Sequence, residues 1–232
     1  MPVRQGVIAI VPAKDEVARI KATVQAVLSL PEVLSVIVVD DGSGDGTHQL
    51  AADAGAYVLR HPRTLGKATA MDSGVVYAEQ LGYGRSPVLF VDADLEDSAH
   101  EITPLIRPIL AEEADMTIAT LPAQKSSGGG TGRVVRLARD GIQGATGRRF
   151  EQPLSGQRCL NREALDEALP FAAGWGVEVG MTIDVLRAGL RVQEVPVALH
   201  HRVTGTDLGA QLHRANQFKD VWIALRQRRA KR

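Results

Sequence analysis

The chain has 232 residues with 44% apolar side chains, enough for one large α/β domain or two small ones, and Lys+Arg and Asp+Glu both total 27. That balance excludes a global field that would draw the protein to nucleic acid, so recognition of anions must come from local clusters. A single cysteine, Cys159, excludes an intrachain disulfide, and no apolar run approaches the about 18 residues needed to cross a bilayer; with no charged-then-apolar leader, the expected setting is the cytoplasm.

Gly6 to Val11 is a short apolar run stopped by Pro12, which predicts a buried strand ending in the loop Pro12-Ala13-Lys14-Asp15-Glu16. Val17, Ile20, Val24, Val27 and Leu28 then recur at helical spacing before Pro31. Val36 to Val39 is a second buried strand, opening into Asp40-Asp41-Gly42-Ser43-Gly44-Asp45-Gly46-Thr47, too rich in Gly and Asp for helix or strand. A helix over Thr47 to Ala54, a strand over Ala56 to Leu59 and a helix from Gly66-Lys67 to about Leu81 follow. Strands separated by helices need crossover connections, hence an α/β fold with a doubly wound, mostly parallel sheet. The strand at Val88 should be central to it.

Val88-Leu89-Phe90-Val91 runs straight into Asp92-Ala93-Asp94-Leu95-Glu96-Asp97. Asp92 and Asp94 should therefore emerge at the carboxyl end of the strand, where open α/β sheets place ligands, and a period of two points them the same way. Two adjacent hard-oxygen donors suit Mg²⁺ or Mn²⁺ bridging a diphosphate, although an acidic turn capping the next helix would read the same in isolation.

Beyond this point a helix from about Ala99 to Glu113, interrupted at Pro104 and Pro108, and a strand at Met116 to Thr120 are expected. Ser126 to Gly132 is a loop by composition, and Arg133 to Ala145 resumes a helical pattern. A polar turn at Leu154-Ser155-Gly156, a helix at Arg162 to Leu169, a bend at Gly174-Trp175-Gly176 and a helix from Glu178 to about Ala188 come next. A strand at Arg191 to Leu199 and a helix from about Leu208 complete the order. Arg226, Arg228, Arg229, Lys231 and Arg232 make a basic end, read as a frayed, solvated terminus or as a contact with anionic lipid.

Familiar phosphate-binding signatures fail. The loop after the first strand has no glycine, which rejects a dinucleotide fold and disfavours a nucleotidyltransferase; His61 and Ala68 stand where a P-loop needs glycine and a hydroxyl. No Gly-x-Ser-x-Gly elbow is present, and Cys159 has no metal-ligand spacing partner.

Four loops at strand ends remain: Pro-Ala-Lys-Asp-Glu (12 to 16), Val-Val-Asp-Asp-Gly-Ser-Gly-Asp-Gly-Thr (38 to 47), Gly-Lys-Ala-x-Ala (66 to 70) and Asp-Ala-Asp (92 to 94). In this order they resemble the nucleotide-binding half of the GT-A glycosyltransferases of the family 2 type. In the second half, Gly-Gly-x-Gly-Arg-Val (129 to 134), Pro-Leu-Ser-Gly-Gln-Arg (153 to 158), Pro-Phe-Ala-Ala-Gly-Trp-Gly-Val-Glu-Val-Gly (170 to 180) and His-His-Arg (200 to 202) resemble the glucosyl-3-phosphoglycerate synthases and their relatives.

The resemblance implies one GT-A domain over residues 1–232, with a nucleotide-binding half (1–97) and an acceptor-side half (98–232). It assigns Pro12, Ala13, Glu16, Asp41, Ser43, Lys67, Asp92 and Ala93 to the nucleotide sugar, Asp94 to the metal with Asp92, and Glu178 to the donor sugar. Gly132, Arg133, Ser155 and Gly156 fall to the acceptor. A histidine ligand is implied, and the register leaves His200 and His201 open. Val135 stands where the phosphoglycerate enzymes carry threonine, and an apolar group cannot replace a hydrogen bond to a small charged acceptor, so the acceptor is expected to differ. Arg133 at a helix start still suits a carboxylate or phosphate.

The expected activity is metal-dependent transfer of a hexose from a uridine-type nucleotide sugar to an anionic acceptor, by an enzyme compatible with a homodimer. The alternatives are a polyprenyl-phosphate sugar transferase in peripheral contact with a membrane, and a catalytically silent nucleotide-sugar-binding protein.

Overall fold

The computed structural model describes residues 6–121, 132–199 and 208–229, with side chains of the last helix from residue 216 onward. The elements are β1 (Val7–Ala13), α1 (Ile20–Leu28), β2 (Val33–Asp40), α2 (Thr47–Asp53), β3 (Tyr57–Arg60), α3 (Lys67–Gln80), β4 (Val88–Phe90), α4 (Thr103–Leu110), β5 (Met116–Thr120), α5 (Arg133–Thr146), β6 (Arg158–Leu160), α6 (Arg162–Ala168), α7 (Val177–Arg187), β7 (Val192–Pro196) and α8 (Leu208–Arg229). They build a seven-stranded sheet of order β3-β2-β1-β4-β6-β5-β7 with β4 at its centre. Every strand pair is parallel except those of β6, which runs antiparallel to both β4 and β5. This is the α/β, mostly parallel, doubly wound architecture expected from the sequence.

Period-two alternation divides the apolar strand residues between two cores. Ile8, Ile10, Ile37, Val39 and Phe90 face a layer of α3, α5, α6, α7 and α8, represented by Met71, Ile142, Leu165, Val179 and Val221. Val7, Ala9, Val11, Val36, Val38 and Leu89 face α1, α2 and α4 through Ile20, Val24, Ala51, Leu105 and Ile109. Each fully buried Val, Leu or Ile contributes roughly 1.5–3 kcal/mol, and burial on both faces explains why these strands read as unbroken apolar runs.

Several boundaries differ from expectation for identifiable reasons. Pro12 does not stop β1, which continues through Ala13. Ile8 and Ile10 bond toward the β4 side and Ala13 toward β2, so alternation turns the missing N–H of Pro12 toward β4, which has already ended at Phe90. The helix expected from Ala99 to Glu113 is a 3-10 segment at Glu96–Ile102 followed by the short α4, with Pro104 in its first turn where no N–H is needed. The last strand is shorter than expected and ends at Pro196. β6 has no counterpart in the sequence reading, because three residues beginning with arginine give no periodic signal. The basic end is not frayed as far as Arg229: α8 carries it, and Arg228 is buried against Asp184. Among the described residues no helix is long and apolar enough to cross a membrane.

Candidate functional site

The exits of β1 and β2 are stapled to each other. The Asp15 N–H donates to Ser43 Oγ (2.9 Å), Glu16 N–H to Thr47 Oγ1 (2.8 Å) and Val17 N–H to Asp45 Oδ2 (3.0 Å), while Gly44 N–H donates back to Asp15 Oδ1 (3.0 Å). Glu16 is paired with Arg19, and Pro12 and Ala13 close the strand beside this seam. Asp40 caps its own loop by accepting from Ser43 N–H at 2.9 Å. The Gly- and Asp-rich sequence therefore makes a fixed rim rather than a slack loop.

Asp41 turns the other way and holds the start of α3. Its carboxylate accepts from Leu65 N–H and Gly66 N–H, both at 2.8 Å, and from His61 Nδ1 at 2.8 Å. Burial alone would raise its pKa, but these hydrogen bonds outweigh it and hold the carboxyl below its usual range. Gly66 then adopts a φ of 98°, a conformation suited to glycine, and releases the chain into α3 with Lys67 as first residue.

Lys67 reaches Asp92 Oδ1 at 2.9 Å and Glu178 Oε1 at 3.1 Å. Burial would lower the pKa of the ammonium, but the two carboxylates, by charge and by hydrogen bonding, raise it above the ordinary range. Gln157, fully buried, donates to Asp92 Oδ2 at 2.6 Å. Gly156 closes over this pair: a Cβ there would lie 2.7 Å from Asp92 Oδ2 and 2.8 Å from Lys67 Nζ. Lys67, Asp92, Gly156 and Glu178, with Leu154, Trp175, Gln217 and Val221, line a cavity of about 110 Å³.

The Pro153–Gly156 turn is shaped from below by Arg158, which is completely buried. Its guanidinium donates to Ser155 O (2.9 Å), Pro153 O (2.7 Å) and Thr182 Oγ1 (2.8 Å). Burial pulls its pKa down to about 10, with Glu178 and Glu194 opposing, so it remains a cation at neutral pH. Burial also pushes the Cys159 thiol up, leaving it inert.

Past β4, Val91, Ala93 and Leu95 are buried while Asp92 and Asp94 are half-buried, so the carboxylates alternate with core residues as expected. Thr23 of α1 fixes this turn by donating to Ala93 O (2.9 Å) and accepting from Glu96 N–H (2.8 Å). Among the described residues no three His, Cys, Asp or Glu side chains assemble as a metal site; His200 and His201 lie outside the described residues. Gly132 and Arg133 are exposed at the start of α5 and are not among the residues lining the cavity.

Sequence reasoning thus located Lys67, Asp92, Gly156 and Glu178, which the fold brings together, and missed Gln157, Arg158, Trp175 and His61. Gln157 and Arg158 stood inside a quoted motif, but nothing in their local pattern marks them as buried. His61 carried only the negative role of breaking a P-loop.

The chain is 30% identical over 209 residues to glycosyltransferase AglJ of Haloferax volcanii, covering 84% of this chain and 67% of that protein. It is 29% identical over 241 residues to the glucosyl-3-phosphoglycerate synthase of Mycobacterium tuberculosis, covering 94% of this chain and 69% of the relative. A crystal structure of the mycobacterial synthase in complex with Mn²⁺, uridine diphosphate and phosphoglyceric acid matches with a TM-score of 0.77 at 27% identity, over 97% of this chain and 78% of that one. The shared architecture is the GT-A fold. Residues 8–171 match the model of glycosyl transferase family 2, and on that span, most of its length, the chain belongs to this family and is a glycosyltransferase.

Proposed function

We propose that this enzyme transfers a hexose from a uridine diphosphate sugar to a small anionic acceptor in the cytoplasm, with Mg²⁺ or Mn²⁺ as cofactor. The observation that carries the reading is the Lys67–Asp92–Glu178 cluster at the carboxyl side of the sheet, a cation held between two acids at the wall of a cavity. Asp94 and Asp92 supply hard oxygen donors of the kind such a cation takes, and His200 or His201 is the further protein ligand. When bound, the metal stabilises the diphosphate leaving group. Glu178 orients the sugar, Lys67 supplies positive charge beside the phosphates, and the rim bearing Pro12, Ala13, Glu16, Asp41, Ser43 and Ala93 receives the nucleoside. The likeness to a synthase solved with Mn²⁺ and uridine diphosphate supports this assignment.

Calorimetry with uridine diphosphate, with and without chelator, tests the donor side. Binding should require the metal, because carboxylates repel phosphates without an intervening cation; equal affinity in both conditions refutes it. On the acceptor side, Gly132 and Arg133 at the head of α5, with Ser155 and Gly156, receive the acid group. Arg133→Ala should raise acceptor KM by about one to two decades, leaving donor KM unchanged, since a charge-assisted contact contributes roughly 1.5–3 kcal/mol. In a screen of small acids, phosphoglycerate should rank as a weak acceptor, because Val135 offers no hydroxyl.

A second reading, a lipid-phosphate acceptor at a membrane surface, is favoured by the outer face of α8. Phe218 and Trp222 are 41% and 46% exposed there, Arg226 lies over the Trp222 ring, and Lys219 and Arg229 are exposed beside them. Sedimentation with anionic and with neutral vesicles separates the readings: retention on neither refutes this one.

A further inference from the structure

We propose that His61 is a positioning residue, which through its Nδ1–H sets the Asp41 carboxylate and thereby seats α3 and Lys67 at the wall of the cavity. His61 is 7% exposed and is engaged at both ring nitrogens: Nδ1 lies 2.8 Å from Asp41 Oδ1 and Nε2 lies 3.0 Å from Ser73 Oγ. A carboxylate can only accept, so Nδ1 carries a proton directed at Asp41, while Nε2 shares a hydrogen bond with the Ser73 hydroxyl. The imidazole thus ties the end of β2 to the second turn of α3.

Both oxygens of Asp41 are committed by this arrangement. Oδ1 takes His61 and Leu65 N–H, and Oδ2 takes Gly66 N–H, the last peptide before Lys67. Lys67 in turn meets Asp92 and Glu178. A continuous line of contacts therefore runs from Ser73 through His61 and Asp41 to the loop that delivers Lys67, without His61 lining the cavity itself. Loss of the Nδ1–H donor leaves Asp41 Oδ1 with the Leu65 amide and frees the carboxylate to turn, loosening both the Leu65–Gly66 segment and the nucleoside side of the rim. The consequence for donor binding rests on the uridine diphosphate reading above; the consequence for the Leu65 and Gly66 amides does not.

The experiment follows amide hydrogen exchange at Leu65 and Gly66, together with titration of uridine diphosphate in the presence of Mn²⁺, for the unmodified protein, His61→Leu and His61→Asn. Asn keeps an N–H donor at the position of Nδ1, whereas Leu fills space without one. In His61→Leu, exchange at both amides should accelerate and uridine diphosphate should bind more weakly, each by about tenfold; His61→Asn should restore both to within about threefold. Unchanged exchange in His61→Leu, or equal losses in Leu and Asn, overturns the proposal, because a packing role alone does not distinguish a donor from a methyl group. Should the unmodified protein not bind uridine diphosphate, the donor reading fails while the amides still decide the role of His61. Nitrogen-detected NMR of the unmodified protein needs no variant to fold: a ring protonated at Nδ1 is expected, and an Nδ1 without a proton overturns the proposal.

Discussion

Lys67 meets Asp92 and Glu178 at nearly equal distances, 2.9 and 3.1 Å, and Gln157 takes the second oxygen of Asp92. Asp92 is thus a structural hub as well as a candidate ligand, which makes Asp94, on the next outward position of the same turn, the carboxylate to test for metal. Asp94→Asn is expected to abolish turnover while leaving the melting temperature nearly unchanged, since a half-buried strand-end side chain contributes little to the core. Among the histidines, His200→Ala should weaken Mn²⁺ binding by about tenfold or more. If His201→Ala alone reproduces that loss, the register is displaced by one residue. Individual residues were legible where chemistry showed on the surface of the sequence, as with Lys67 after a glycine or two aspartates after an apolar run. Gln157 and Arg158 were not, because whether a polar side chain is buried depends on what the fold lays over it.

At the scale of elements, β6 and the turn before it join the two halves of the site. The turn comes close because Gly156 has no Cβ, and it keeps its shape because Arg158 holds two of its carbonyl groups. Gly156→Ala would press a methyl group on Asp92 and Lys67, which are already fixed by their own partners, so turnover should fall well beyond the about 1–3 kcal/mol loss of stability that overpacking brings. Thermal melting and kinetics on the same preparation separate the two effects. The parallel elements were readable because their apolar runs are buried on both faces and lie between helices of ordinary length. β6 was not, since its three residues pair antiparallel only through partners far away in the chain.

For the molecule as a whole, one acid ties the far side of the sheet together. Asp115, just before β5, accepts from the Arg191 N–H (2.7 Å), from the Arg191 guanidinium (2.9 Å) and from Asn161 Nδ2 (3.0 Å), linking the neighbourhoods of β5, β6 and β7. The Arg191 hydrogen bonds outweigh burial and hold its pKa below the usual value. The folded state therefore binds fewer protons than the unfolded chain in this range. Stability from Asp115 is fully present above the unfolded pKa of about 3.9 and is lost as pH falls through the lower, folded value. Asp115→Asn should lower stability by about 2–3 kcal/mol at neutral pH and lose less on acidification than the unmodified protein. Denaturant titrations at neutral pH and near pH 3 measure both; equal acid losses would show that Asp115 is not the group responsible.

The place of β6 also bears on how the chain is made. Synthesis delivers β4 and then β5, but the strand that fits between them comes last of the three, and Asp92 waits for a partner 65 residues further on. Until Arg158 and its neighbours emerge, β4 carries an open edge and β5 has no strand beside it, since its other neighbour, β7, is made later still. A growing chain therefore spends the interval from β5 to β6 with a bare apolar edge, the state in which strands pair with the wrong molecule. The protein is at its most vulnerable to aggregation before Asp92 has met Gln157, and the three residues that follow Gln157 end that vulnerability.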